Sequence, residues 1–175
     1  MEQPSASPGP RTAEEPMAFT RGELARGVMA ACVAFGLATP VVAIIVLLAF
    51  DSTYATFSLY LVATGWLIGI VPTTTLAGFA FAPLARLVGR RLTREKRRWP
   101  HVLSHAALGA AAAVVMGALV GLLIGATSWR GDALQGATLG FSAGALASPL
   151  AAAAAAYGWW FTARRAFADD RAAAE

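Results

Sequence analysis

The chain has 175 residues, 57% of them hydrophobic and only 14% charged, with a mean hydropathy of +0.58. Soluble domains carry about 25% charged residues, so a water-soluble globular domain is a poor reading of this composition. The net charge of +4 comes from one block, since Arg86 to Arg98 alone sum to +6. No nucleic-acid-binding module surrounds that block, and a single cysteine, Cys32, excludes intrachain disulfides and paired-thiol redox chemistry.

The charges fall in blocks, and the gaps between them define the fold. No Asp, Glu, Lys or Arg occurs in the 24 residues between Arg26 and Asp51 or the 34 between Asp51 and Arg86. The same is true of the 31 residues between Arg98 and Arg130 and the 31 between Asp132 and Arg164. A helix needs about 20 apolar residues to cross the hydrocarbon core, so each gap holds one crossing. The expectation is an all-α integral membrane four-helix bundle, built as two transmembrane hairpins over residues 21–166.

In chain order, residues 1–20 contain Pro4, Pro8, Pro10 and Pro16, lack apolar periodicity, and predict a disordered tail. The tail lacks the basic start and short apolar core of a cleaved signal, so the first helix should be an uncleaved anchor. Helix 1 is expected over 27–50, with Thr39 and Pro40 at its middle, and residues 51–57 form a short connection. Helix 2 is expected over 58–84 and holds Gly65, Gly69, Pro72 and the run Thr73, Thr74, Thr75. A basic loop over 85–100 follows. Its apolar residues Leu87, Val88 and Leu92 continue the helical spacing of Leu84, as in a helix lying near the interface. Trp99 suits an aromatic belt, and Pro100 should break that helix before the next begins. Helix 3 is expected over 101–127 and helix 4 over 133–162, joined by a five-residue turn. Tyr157, Trp159 and Trp160 suit a second belt, Arg164 and Arg165 follow, and residues 167–175 should fray as a short tail.

Orientation follows from counting basic residues. Thirteen of the fourteen lie in the N-terminal segment, the middle block and the C-terminal tail; only Arg130 lies in the opposite connections. The positive-inside rule then puts both termini and the block in the cytoplasm. Richness in Ala, Gly and Arg points to a bacterial source and hence to the bacterial cytoplasmic membrane, crossed four times. Arg86, Arg90, Arg91, Arg94, Lys96, Arg97 and Arg98 are the expected ligands for anionic lipid headgroups, in a salt-sensitive way.

Three further patterns bear on function. No Asp, Glu, Lys or Arg lies inside any span, which argues against a proton-coupled carrier that needs an embedded acid. His101 and His105 stand four residues apart on one helical face, a spacing that two metal ligands can use. No third ligand stands nearby, so an interfacial pair bonded to backbone is the simpler expectation and no metal is assigned. Pro40, Pro72 and Pro149 fall near the centres of their helices with hydroxyl neighbours Thr39, Thr73 and Ser148. With Thr74 and Thr75 they form a candidate site for an uncharged solute. The simpler account is that membrane helices tolerate proline where Ser and Thr bind the freed backbone groups.

The most specific pattern lies in helices 3 and 4. Gly117, Gly121 and Gly125 repeat every four residues, preceded by Ala113; Gly136, Gly140 and Gly144 do the same, followed by Ser148. Small-xxx-small stripes let helix backbones approach closely in lipid. Reflected about the turn, Gly125 pairs with Gly136, Gly121 with Gly140, Gly117 with Gly144 and Ala113 with Ser148, which predicts a seam inside one hairpin. Gly109, beyond the stripe, should tolerate a larger side chain. A weaker echo, Gly65 and Gly69 with Pro72 against Gly140 and Gly144 with Pro149, hints at two related hairpins.

No catalytic nucleophile–base pair or phosphate loop is present, so an enzyme is not expected and no cofactor is implied. The expected role is a structural or accessory membrane subunit that partners another membrane protein or itself. The alternative is a small channel or carrier for an uncharged solute.

Overall fold

A computed structural model describes residues 11–50, 60, 62–128 and 131–175. The described residues are mostly helical, without strands; residues 11–20 and 92–97 are the main non-helical segments. Four helices are long and apolar enough to cross a membrane: α1, Arg21–Phe50; α2, Val62–Arg91; α3, Arg98–Thr127; and α4, Ala133–Ala174. In hydrocarbon, a helix satisfies every backbone group within its own segment, so runs this apolar have no other way across.

The boundaries differ from the expected ones wherever a local signal outweighed the charge gap. α1 begins six residues before Gly27, because Thr20 and Glu23 form a capping box. The Thr20 N–H donates to Glu23 Oε2 at 2.6 Å, and the Glu23 N–H donates to Thr20 Oγ1 at 3.2 Å. α2 runs on to Arg91, and α3 starts at Arg98 with Pro100 in its first turn, where the missing N–H has no helical partner to lose. The expected basic loop over 85–100 is therefore a connection over 92–97 only, flanked by helix. Arg90 and Arg91 suit the last turn of α2, where cations meet the negative end of the helix dipole. α4 is capped by Asp132, whose carboxylate accepts the Gln135 N–H at 2.8 Å. It continues twelve residues past Thr162, so the frayed tail expected over 167–175 is helical to Ala174. At 1.5 Å per residue its 42 residues measure about 63 Å, roughly twice a bilayer core. The expected connection over 51–57, the start of helix 2 before Tyr60, and residues 1–10 of the tail lie outside the described residues.

α2 is not regular. Trp66–Ile70 form a π-helical turn, with the Val71 N–H bonded five residues back to the Trp66 carbonyl. Pro72 follows directly. It has no N–H to donate and crowds the carbonyl one turn back, which a widened turn relieves.

The helices form a ring in chain order. α3 packs along α4, by far the most extensive interface; α4 also packs on α1, α1 on α2, and α2 on α3. The diagonals α1–α3 and α2–α4 do not meet among the described residues. α3 and α4 are antiparallel through a turn at Gly131, whose φ of +63° is the left-handed conformation that glycine adopts without Cβ strain.

Buried side chains concentrate at the end of the ring that carries the termini. Met17, Trp159 and Ala163 form the buried cluster there, with Phe19, Val102 and Phe167 against it. Within the spans, large apolar side chains point outward: Leu37 is 61% exposed, Phe79 71% and Leu146 85%. Lipid tails are as apolar as Leu, so burying such groups between membrane helices gives little driving force.

Candidate functional site

At the end carrying the termini, residues 11–20 are not a loose tail but a strap. Arg11 joins the start of α1 to the far end of α4. Its Nη1 and Nη2 each lie 3.0 Å from Glu23 Oε1, Nη2 lies 2.7 Å from Asp170 Oδ1, and Nε bonds Asp170 Oδ2. The same guanidinium reaches the carbonyls of Ala18 and Ala166 and lies beside the rings of Phe19 and Phe167. The Met17 N–H donates to the Thr93 carbonyl at 3.2 Å, which ties the strap to the α2–α3 connection. Asp170, bonded to Arg11, is held below the usual carboxylate range. Burial pushes Glu23 up, but the bonds from Arg11 and Thr20 outweigh it and leave Glu23 low. Arg11 is raised, first by Asp170 and, against the cost of burial, by Glu23.

His101 and His105 sit under this strap rather than at an exposed interface. His101 is 1% exposed, its ring stacked on Trp159 with centroids 5.2 Å apart, and His105 is tilted against the same indole at 6.3 Å. His101 Nε2 faces the Glu95 carbonyl at 3.1 Å, and His105 Nδ1 faces the His101 carbonyl at 2.8 Å. Carbonyls only accept, so these two nitrogens carry the protons. Trp159 thus faces inward, whereas Trp160 points outward with Arg164 over its face at 5.3 Å. The expected belt therefore consists of Tyr157 and Trp160 without Trp159, because a helix turns adjacent residues about 100° apart.

In the seam, Gly125 lies against Gly136, Gly121 against Gly140, and Gly117 against Gly144. A Cβ on Gly121 would come within 2.8 Å of Gly140 Cα, and one on Gly140 within 2.9 Å of Gly121 Cα. The Gly117 and Gly125 positions would each place a Cβ 3.0 Å from the facing Cα. Ala113 faces Gly144 through its carbonyl, while the Ser148 hydroxyl turns back to the Ala145 carbonyl at 2.8 Å. Gly109 is not roomy as expected, because its Cβ would stand 2.6 Å from the Ala155 Cβ. The seam runs further toward the terminal end than the glycine spacing indicates, since Ala151 and Ala155 continue it with small side chains. A second close approach joins α1 to α4. Gly27 and Gly158 face each other, and the Thr162 hydroxyl bonds the carbonyls of Gly158 at 3.0 Å and Glu23 at 3.3 Å. Gly65 and Gly69 meet nothing within 4 Å, so the echo between the two hairpins does not extend to packing.

The midplane prolines have local explanations. Pro40 leaves the Gly36 carbonyl without its helical donor, and Trp66 of α2 supplies one from Nε1 at 2.5 Å. Pro149 leaves the Ala145 carbonyl open, and Ser148 fills it. The Thr39 hydroxyl binds the Phe35 carbonyl at 2.7 Å, and that of Thr75 binds the Val71 carbonyl at 2.9 Å. Of the eight candidate solute-site residues, Thr39, Thr73, Thr74 and Thr75 line a common space, whereas Pro40, Pro72, Ser148 and Pro149 do not.

That common space is a cleft of about 1330 Å³ between the α1–α2 hairpin and the α3–α4 hairpin, lined by all four helices. Its wall is apolar, with Phe35, Phe81, Leu108, Met116 and Val120 among its larger residues. Its charged lining residues are Arg21, Arg86 and Arg90, all at the mouth nearest the termini. The rest of the basic run, Arg91, Arg94, Lys96, Arg97 and Arg98, is exposed on the end of α2, the connection and the start of α3. Salt bridges among the described residues involve Arg11 and Arg26, and none involves the basic run. No group of three or more metal-ligating side chains occurs among the described residues. The arrangement offers chemistry of binding: an apolar trough with a cationic rim.

No known protein family matches this chain, and no curated protein or solved structure matches it either.

Proposed function

We propose that the chain is a small accessory subunit of a bacterial cytoplasmic membrane, with both termini inside, that acts by binding rather than by catalysis. Its working surface is the cleft between the two hairpins, occupied in the bilayer by an apolar chain. The observation that carries this reading is the wall: about 1330 Å³ of apolar space reached by all four helices, with charge only at the mouth. Small-molecule sites run to roughly 300–1,000 Å³ with a few convergent polar groups. This cleft is larger, and the Thr39 and Thr75 hydroxyls on its wall are bonded to their own helices. A predominantly apolar lining favours an apolar chain over a water-filled path for an uncharged solute. The basic stretch at the mouth supports an inside orientation and attachment to anionic headgroups.

Purification of the full chain in mild detergent, with lipid and protein both analysed, tests this. The wild-type chain should carry a retained apolar occupant. Ala112→Phe, which fills the cleft from α3, should lose it. Liposomes bearing the chain should release a neutral solute such as glycerol no faster than empty ones. Flux that rises with protein content would overturn the binding reading in favour of a channel.

A further inference from the structure

The mouth of the cleft is built differently from its floor. Arg21 stands in the first turn of α1, and Arg86 and Arg90 stand one turn apart near the end of α2, where residues four apart are neighbours on one face. All three line the cleft, and all three also line a smaller hollow of about 310 Å³ beside it, where Glu15 is the one acid. Arg86 shares both linings with Arg21 and Arg90, which gathers three cations at one mouth. None of the three makes a salt bridge among the described residues; Arg21 and Arg90 are exposed and Arg86 is partly covered. Like charges held together at the edge of a low-dielectric region repel one another more strongly than they would in water. An anion placed between them relieves that repulsion. Further along the cleft the wall is mainly apolar, with Val28 and Phe35 of α1, Phe81 of α2 and Leu108 of α3.

A free phosphate would use the rim and leave the trough empty, and a neutral hydrocarbon would do the reverse. One molecule that satisfies both carries an anionic head and a long apolar tail. We propose that the cleft binds a single anionic phospholipid, its headgroup held by Arg21, Arg86 and Arg90 and one acyl chain laid between the hairpins. Arginine suits the head because its planar fork can bond phosphate oxygens in pairs. This rests on the reading that an apolar chain occupies the cleft, and it adds that the occupant is selected by charge.

Native mass spectrometry of the delipidated full chain tests both layers. The probe is an equimolar mixture of phosphatidylglycerol and phosphatidylcholine with identical acyl chains. The wild-type chain should retain one phosphatidylglycerol in preference to phosphatidylcholine by about fivefold or more, the scale of one cation's contribution beside an anionic headgroup. The triple variant Arg21→Gln, Arg86→Gln, Arg90→Gln should bind the two lipids equally. Its charge-preserving counterpart, with Lys at all three positions, should keep most of the preference and so guards against misfolding as the cause. Arg164→Gln, Arg165→Gln, Arg171→Gln removes the same charge from exposed positions of α4 outside the cleft lining and the basic run, and should leave the preference intact. Glycerol phosphate without acyl chains should not compete at equal concentration; equal competition would reduce the site to one for free anions and overturn the proposal. Equal retention of both lipids by the wild type, lost on Ala112→Phe, would overturn the charge selection and leave the cleft reading standing. No retained lipid in any form would overturn both.

Discussion

The two ends of this bundle are held by different physics. At the end carrying the termini, Trp159, Met17, His101 and Glu23 are buried, Glu23 is paired, His101 Nδ1 alone is left without a partner among the described residues, and a strap closes the assembly through Arg11. That is the organisation of a soluble core, where removing apolar area from water supplies the stability. Along the spans the relation is inverted: large side chains face outward, and the helices meet backbone to backbone at Gly117, Gly121, Gly125 and their partners. Lipid offers no hydrophobic drive between helices, so close van der Waals approach at small residues replaces it. The α1–α2 hairpin does not close on α3–α4 in the same way, and the cleft is the space that results. Substitutions that act at one end and not at the other therefore test the distinction.

The largest effect should come from the terminal core. Trp159 is 5% exposed and stacks on His101, so Trp159→Ala should destabilise the chain by about 3–5 kcal/mol. Trp160→Ala, one residue along and 43% exposed, should cost far less. Thermal unfolding in detergent compares the two, and equal losses would mean that the indoles are not sorted by face.

Next comes the seam. Gly121→Leu or Gly140→Leu drives a side chain into the facing backbone and should cost about 2 kcal/mol or more. Gly65→Leu, whose Cβ meets open space, should stay within about 0.5 kcal/mol of the native chain. Gly109→Leu belongs with the first group, because Ala155 stands in the way. In a background without Cys32, paired Gly121→Cys and Gly140→Cys should cross-link within one chain, whereas paired Leu119→Cys and Leu139→Cys should not.

The strap should come third. Arg11→Gln leaves the buried Glu23 without its cation and should cost about 1–3 kcal/mol. Glu23 and Asp170 both have lowered folded-state values. Their contribution is therefore fully present above the ordinary carboxylate value of about 4 and is lost as pH falls through the lowered ones. The native chain should lose stability on acidification in that window, and Arg11→Gln should flatten the dependence. The smallest effect is Ser148→Ala, which leaves the Ala145 carbonyl open beside Pro149 and should cost no more than about 1 kcal/mol.

What could be read in the sequence divides along the same line. The four apolar helices are legible because the cost of burying charge in hydrocarbon clears each span of Asp, Glu, Lys and Arg. The glycine seam is legible because a tight turn makes equal distance from the midpoint between positions 130 and 131 mean equal depth. The strap is not, since Arg11 meets Asp170 across 159 residues and nothing local announces it. Its anchor could have been read, because Thr20-x-x-Glu23 before an apolar run is a capping-box signature. Which of Trp159 and Trp160 turns inward depends on the helix phase set by α1 and α3. The cleft depends on how far apart the hairpins stand, and Trp66 bonding Gly36 across α1 and α2 shows how such spacing is fixed by pairs no periodicity reveals.

The central claim is that the strapped, basic end faces the cytoplasm while four spans lie in lipid. Single cysteines at Thr53, Arg94 and Ala173, in a Cys32→Ser background, test it with an impermeant thiol reagent on intact cells. Thr53→Cys should label at once, and Arg94→Cys and Ala173→Cys only after the membrane is permeabilised. Labelling of Arg94→Cys or Ala173→Cys on intact cells would contradict the account.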